Sequence, residues 1–149
     1  MDLKEQLELQ IDALIPILYF QTYEDMEIVT LLNYLKKMGK KVEVWEVTQE
    51  NETLEEFLYS FASGIDSLED VVLVIKDIHF FFDESKPNYP KIVSLLKKIA
   101  IKILTDENSN GHIILTSPKL KVPFEIEKYL SIFEIPFPNN SKIENIIQK

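Results

Sequence analysis

The 149 residues carry 16 lysines, no arginine, 25 acidic side chains, two histidines and no cysteine, for a formal charge of −9. At 46% hydrophobic, a chain of this length buries a core without disulfide or metal staples, and one domain is expected. The missing cysteines exclude disulfides, thiolate metal sites and a thiol nucleophile, and the missing arginines exclude guanidinium clamps on phosphate or guanine. The acid excess argues against nucleic acid and anionic membranes as partners.

No stretch approaches the ~18 unbroken apolar residues of a membrane span. The N-terminus, MDLKEQLELQ, has neither the charge nor the apolar block of a targeting signal, so a cytoplasmic location is expected.

In chain order, Leu3, Leu7 and Ile11 share one face of a predicted N-terminal helix over Met1–Ile11. Ala13–Phe20 is a continuous apolar run that predicts a strand buried on both faces. Pro16 cannot donate to a ladder, so Ile17–Phe20 is its secure part. Thr22 is placed as the N-cap of a helix carrying Glu24 and Asp25 in its first turn, Ile28, Leu31, Leu32 and Leu35 as its stripe, and Gly39 beyond its end. Val42–Val47 alternates as a second strand with Val42 and Val44 on its apolar face and Trp45 breaking the polar one. Trp45 is assigned to packing.

Thr53 and Glu56 form a capping box ahead of Leu54, Phe57, Leu58 and Phe61, and Gly64 ends that helix. Val71–Ile75 is the strongest strand signal. After an aromatic, acidic connection, Pro90 takes the first position of a helix striped by Ile92, Leu95, Leu96, Ile99 and Ile103. Gly111 precedes a fourth strand, His112–Thr116. Pro123 opens a short helix over Phe124–Tyr129, Ser131–Ile135 is a fifth strand, and Asn139–Gln148 is a terminal helix. Strands alternating with helices predict a three-layer α/β sandwich around a five-stranded parallel sheet. Charge is unevenly spread: residues 1–70 hold 5 Lys against 16 acids, whereas residues 71–149 hold 11 Lys against 9 acids. The acidic half could dock a basic partner or could simply be a solvated face.

In open α/β sheets ligands bind beyond the carboxyl ends of the strands. After the first strand, a phosphate-binding turn would supply glycines, a lysine and free helix N–H groups. Gln21–Glu27 supplies none of the glycine or lysine and sets Glu24, Asp25 and Glu27 where an anion would sit. After the third strand, Asp77 stands where P-loop ATPases carry a magnesium-orienting acid, but Ile78 replaces the second acid that would act as base. After the fourth, Thr116 and Ser117 occupy positions that sense a γ-phosphate in such enzymes; capping the next turn is the competing role of Ser117. Thr22, Asp77 and Ser117 are therefore the candidate remnant of a nucleotide–magnesium site. His79 and His112 are read as packed polar residues rather than metal ligands. Phe80, Phe81 and Phe82 are either core beneath a loop or a partner anchor.

The runs Ile15–Leu35, Lys40–Gln49, Val71–Phe82, His112–Leu130 and Ser131–Ile147 together resemble the N-terminal region of an AAA+ ATPase family found in cyanobacteria and encoded in many plastids. The most telling pieces are Lys76–Phe82, Ser117–Glu127 and the Pro136–Pro138 segment. The resemblance implies a degenerate AAA+ core with strand order 5-1-4-3-2 and no phosphate loop, normally followed by a complete ATPase domain. The chain would then be a stand-alone version or a piece of a longer ATPase, in the cytoplasm or the plastid stroma. The resulting expectation is a non-enzymatic interaction or regulatory module with no cofactor, or Mg-ATP only where the degenerate site still works. Its partners would be another protein, an ATPase domain of the same family or further copies of itself. A phospho-acceptor receiver is the alternative: Glu24 and Asp25 as acid pair, Asp77 as acceptor, Thr116 or Ser117 as switch hydroxyl, and strand order 2-1-3-4-5. A nucleotide enzyme with a non-standard site is a third.

Overall fold

The computed structural model describes residues 3–13, 15–23, 25–48 and 51–134. Five strands, β1 (Ile17–Gln21), β2 (Lys41–Trp45), β3 (Val71–Ile75), β4 (His112–Ser117) and β5 (Leu130–Glu134), form one sheet. Its order is β2-β3-β4-β1-β5 and every pairing is parallel. Read from the other edge this is 5-1-4-3-2, the order the resemblance implies. The 2-1-3-4-5 order of a receiver sheet is overturned, because β4 lies between β3 and β1.

Helices α1 (Leu3–Asp12) and α2 (Asp25–Lys37) cover one face, while α3 (Leu54–Ala62) and α4 (Tyr89–Thr105) cover the other. The split follows from strand alternation. Leu18, Phe20, Val72, Val74, Ile114 and Phe133 point toward α1 and α2, and Phe20 stacks on Phe133 with ring centroids 4.7 Å apart. Ile17, Tyr19, Leu73, Ile75, Ile113 and Leu115 point toward α3 and α4 and anchor the larger core. The central strands are apolar without interruption because both faces are covered.

Most predicted elements form from the residues that foretold them. Pro16 contributes its carbonyl, not a donor, to the ladder, accepting from Ile113 N at 2.8 Å, and β1 starts after it. The Thr53–Glu56 capping box closes in both directions, at 3.1 and 3.2 Å. Gly39 and Gly64 take positive φ just past α2 and α3, as helix ends require. Tyr89, not Pro90, is the first residue of α4.

Three expectations are corrected. Helix α2 begins at Asp25, not directly after Thr22, whose amide prolongs the sheet by donating to Ser117 O at 2.9 Å. In β2 the buried residue is Trp45, on the α3/α4 side, whereas Val42 is half-buried and Val44 exposed. At a sheet edge the helices stop short of covering both faces, so alternation alone picked the wrong side. The residues from Phe124 to Tyr129 form a 3-10 helix, and β5 starts at Leu130. The predicted terminal helix Asn139–Gln148 lies outside the described residues.

Candidate functional site

The carboxyl edge of the sheet brings two of the three candidate residues together. Gln21 pairs with Ser117 in the β1–β4 register, and the Thr22–Ser117 backbone bond carries the contact one residue further. Asp77 lies at the same edge, two residues beyond Ile75, whose β4 partner is Leu115.

The Ser117 hydroxyl donates to Lys119 O at 2.6 Å and accepts from Lys119 N at 3.0 Å, closing the turn after β4. The turn-capping role is the one this geometry displays; both the donor and an acceptor site of the hydroxyl are engaged. Asp77 is exposed and left-handed, φ 56 and ψ 45, a conformation that Asp tolerates better than most side chains. Its carboxylate caps nothing, although its carbonyl accepts from Phe80 N at 3.2 Å to open a 3-10 turn over Ile78–Phe80. Thr116, paired with Phe20, is buried.

A residue absent from the sequence-derived set organises this edge. Tyr19, fully buried on β1, donates its hydroxyl to Lys119 O at 2.8 Å and accepts from Lys121 N at 3.3 Å. The sequence signal was there: Tyr19 is the one side chain within the Ile17–Phe20 run with a polar tip, and such a tip needs a partner when buried. Tyr19→Phe is expected to cost about 1 kcal/mol, since Lys119 O keeps its bond from Ser117 while Lys121 N loses its acceptor. Urea melts of the two proteins measure it, and equal midpoints would contradict the tie.

The aromatic run divides. Phe82 is buried, Phe81 is half-buried with its ring set edge-on against Trp45 at 5.5 Å, and Phe80 is 51% exposed. Only Phe80 is left as a surface aromatic; the sequence reading passed over Phe124, which is 86% exposed. Trp45 is packed as expected, its indole N–H bonded to Glu52 O at 2.9 Å.

Neither histidine has metal-site company: among the described residues no group of three potential ligands occurs. His79 is half-buried, and burial lowers its pKa against the pull of Asp77, with Lys119 and Lys121 adding to the decrease. His112, at the amino end of β4, is 1% exposed; burial first, then Lys40, lowers its pKa to about 4, against a smaller opposing pull from the Ile11 backbone. No helix among the described residues is long and apolar enough to cross a membrane.

The fold agrees with the family comparison. A model of the SpoVK-like AAA ATPase N-terminal domain matches residues 3–135. The chain belongs to that family. Two solved chains share the fold. One, from Drosophila ORC bound to AT-rich DNA and Cdc6, aligns with TM-score 0.57 and 10% identity over 87% of this chain and 51% of its own length. The other, from Drosophila ORC bound to DNA, aligns with TM-score 0.56 and 11% identity over 91% of this chain and 89% of its own. The SpoVK-like domain thus spans about half the length of the first of these. At such identities the likeness is one of fold. No curated protein matches in sequence.

Proposed function

We propose that this SpoVK-like N-terminal domain is a non-catalytic AAA+-like interaction or regulatory module that does not hydrolyse ATP by itself. The observation that carries the reading is the β1–α2 connection. Gln21–Glu27 joins the strand and helix that would hold phosphate, yet contains neither glycine nor lysine and brings Glu24, Asp25 and Glu27 to that place in the chain. A triphosphate there would meet repulsion instead of N–H donors and an ammonium. Three further features support it: the engaged Ser117 hydroxyl, the lone acid Asp77 followed by Ile78, and the absence of any arginine. Where a longer chain carries a second AAA+ unit, hydrolysis belongs there. The sequence motifs favour the cyanobacterial and plastid-encoded branch, and with it a cytoplasmic or stromal location.

Calorimetric titration of Mg-ATP, with phosphate release followed in parallel, tests the reading. No heat of binding and no phosphate above background are expected. Micromolar affinity with turnover would sink it, and would instead make Thr22, Asp77 and Ser117 a working site.

The proposed partners are proteins, including an ATPase domain of the same family or further copies of the chain. The two fold neighbours were solved with DNA, but the acid excess of the first 70 residues supports a protein over a nucleic-acid partner here. Retention of the domain by duplex DNA at moderate salt would count against this.

A further inference from the structure

A pocket of about 380 Å³ opens beside the carboxyl end of β2, away from the β1–α2 connection. Trp45 and Phe81 form its aromatic floor, Val47 stands at its side, and Glu52 and Glu55, with Thr53, Leu54 and Asn88, complete the lining. Glu52 and Glu55 are half-buried, and neither makes an ion pair among the described residues. No lysine lines the pocket. The polar duties nearby are met by other atoms: the Glu52 backbone carbonyl holds the Trp45 indole, and Glu56, not Glu55, closes the capping box.

Two carboxylates with no cation partner among the described residues, beside an apolar floor, match a side chain with an apolar stem and a positive head. The first 70 residues, which supply six of the eight lining residues, carry 16 acids against 5 lysines. We infer that this pocket receives a lysine or arginine side chain from a basic segment of a partner protein. The stem lies along Trp45, Val47 and Phe81, and the head lies between Glu52 and Glu55. The inference rests on the interaction reading above but has its own readout: Mg-ATP turnover would end that reading, whereas failure at the pocket would end only this one.

Trp45 is the chain's single tryptophan and therefore reports directly on the pocket. The full chain is titrated at low ionic strength with a capped pentapeptide of glycine, lysine and arginine, while the indole emission is followed. A saturable change is expected, with none from the same peptide carrying glutamates in place of its basic residues. The double substitution Glu52→Gln and Glu55→Gln spares the indole anchor and the capping box, and is expected to weaken binding about tenfold. Val47→Lys, at an exposed position, puts a resident cation at the pocket and is expected to abolish the response independently. The assignment is overturned by an unsaturable or absent change, by an equal response to the acidic peptide, by binding that survives Val47→Lys, or by magnesium chloride alone producing the same signal at matched ionic strength.

Discussion

Replacing Gly111 by alanine is expected to remove about 3 kcal/mol of stability and to lower the melting temperature by about 6–12 °C. A Cβ at this position would lie 2.4 Å from Val71 O and 2.6 Å from Leu68 O, both backbone atoms at the entry to β3. Contacts that short force a shift, and the neighbouring loop is poorly placed to give way. Asp70, itself left-handed at φ 53, donates its amide to Asn110 Oδ1 at 2.8 Å and accepts from Asn110 Nδ2 at 3.0 Å. Its carbonyl holds Lys41 N at 2.8 Å, and Lys40 reaches its carboxylate at 3.4 Å. Receding from the new methyl would strain bonds to the start of both β2 and β4. Gly111 has no positive φ, so the effect is one of space alone. Thermal and urea melts measure it, and a loss below about 1 kcal/mol would show that the two segments are less closely set.

The second large effect is a loss of stability on mild acidification, centred on His112. Its ring is almost wholly buried, and burial with the nearby Lys40 charge holds its folded pKa at about 4, below the ordinary 6.5. Between those values the unfolded chain binds a proton that the native ring refuses. The stabilisation is therefore complete above pH 6.5 and is lost as pH falls toward 4. A difference of about 2.5 pH units corresponds to about 3 kcal/mol. His79, whose pKa burial also lowers, contributes with the same sign. The Asp83 carboxyl, held below its usual value first by the Ser85 hydroxyl, loses its contribution only at more acid pH. Urea titrations at pH 7 and about pH 4.5 are expected to differ by most of this amount in the native sequence and by much less in His112→Leu. At pH 7 the leucine variant is expected to stay within about 1 kcal/mol of the native stability, since the ring's one polar contact, to the Ile11 backbone, is too weak to offset the effect of burial on its pKa. A His112→Leu protein that weakens as steeply with acid as the parent would overturn the assignment to this ring.

Much of the fold was legible because its signals are local. Five apolar or alternating runs gave the strands, 3.6-residue stripes gave α2, α3 and α4, and Thr53 with Glu56 marked a helix start to the residue. The errors share a cause. Thr22 reads as the residue just before the first helical turn, but the β1–β4 ladder runs on through its amide and α2 begins only at Asp25. Val42 and Val44 look like an inward face, but β2 is an edge strand, and which side is covered depends on helices distant in sequence. Phe80, Phe81 and Phe82 are chemically identical neighbours that a single 3-10 turn divides among solvent, Trp45 and the core.

The site was half legible for the same reason. Sequence placed Asp77 just past β3 and Ser117 at the carboxyl end of β4, and showed that the connection after β1 offers carboxylates in place of glycine and lysine. It could not show that Tyr19 ties down the loop beyond Ser117 from about 100 residues away, or that Trp45 and Phe81 meet beside Glu52 and Glu55. By itself the sequence determined the element types, the acidic first half and the absence of arginine and cysteine, since these follow from composition and from spacing along one chain. The tertiary structure decided strand order, which aromatic is buried and which hydroxyl is engaged. Those depend on partners brought together by the sheet, and neither burial nor a hydrogen bond exists until that second surface is in place.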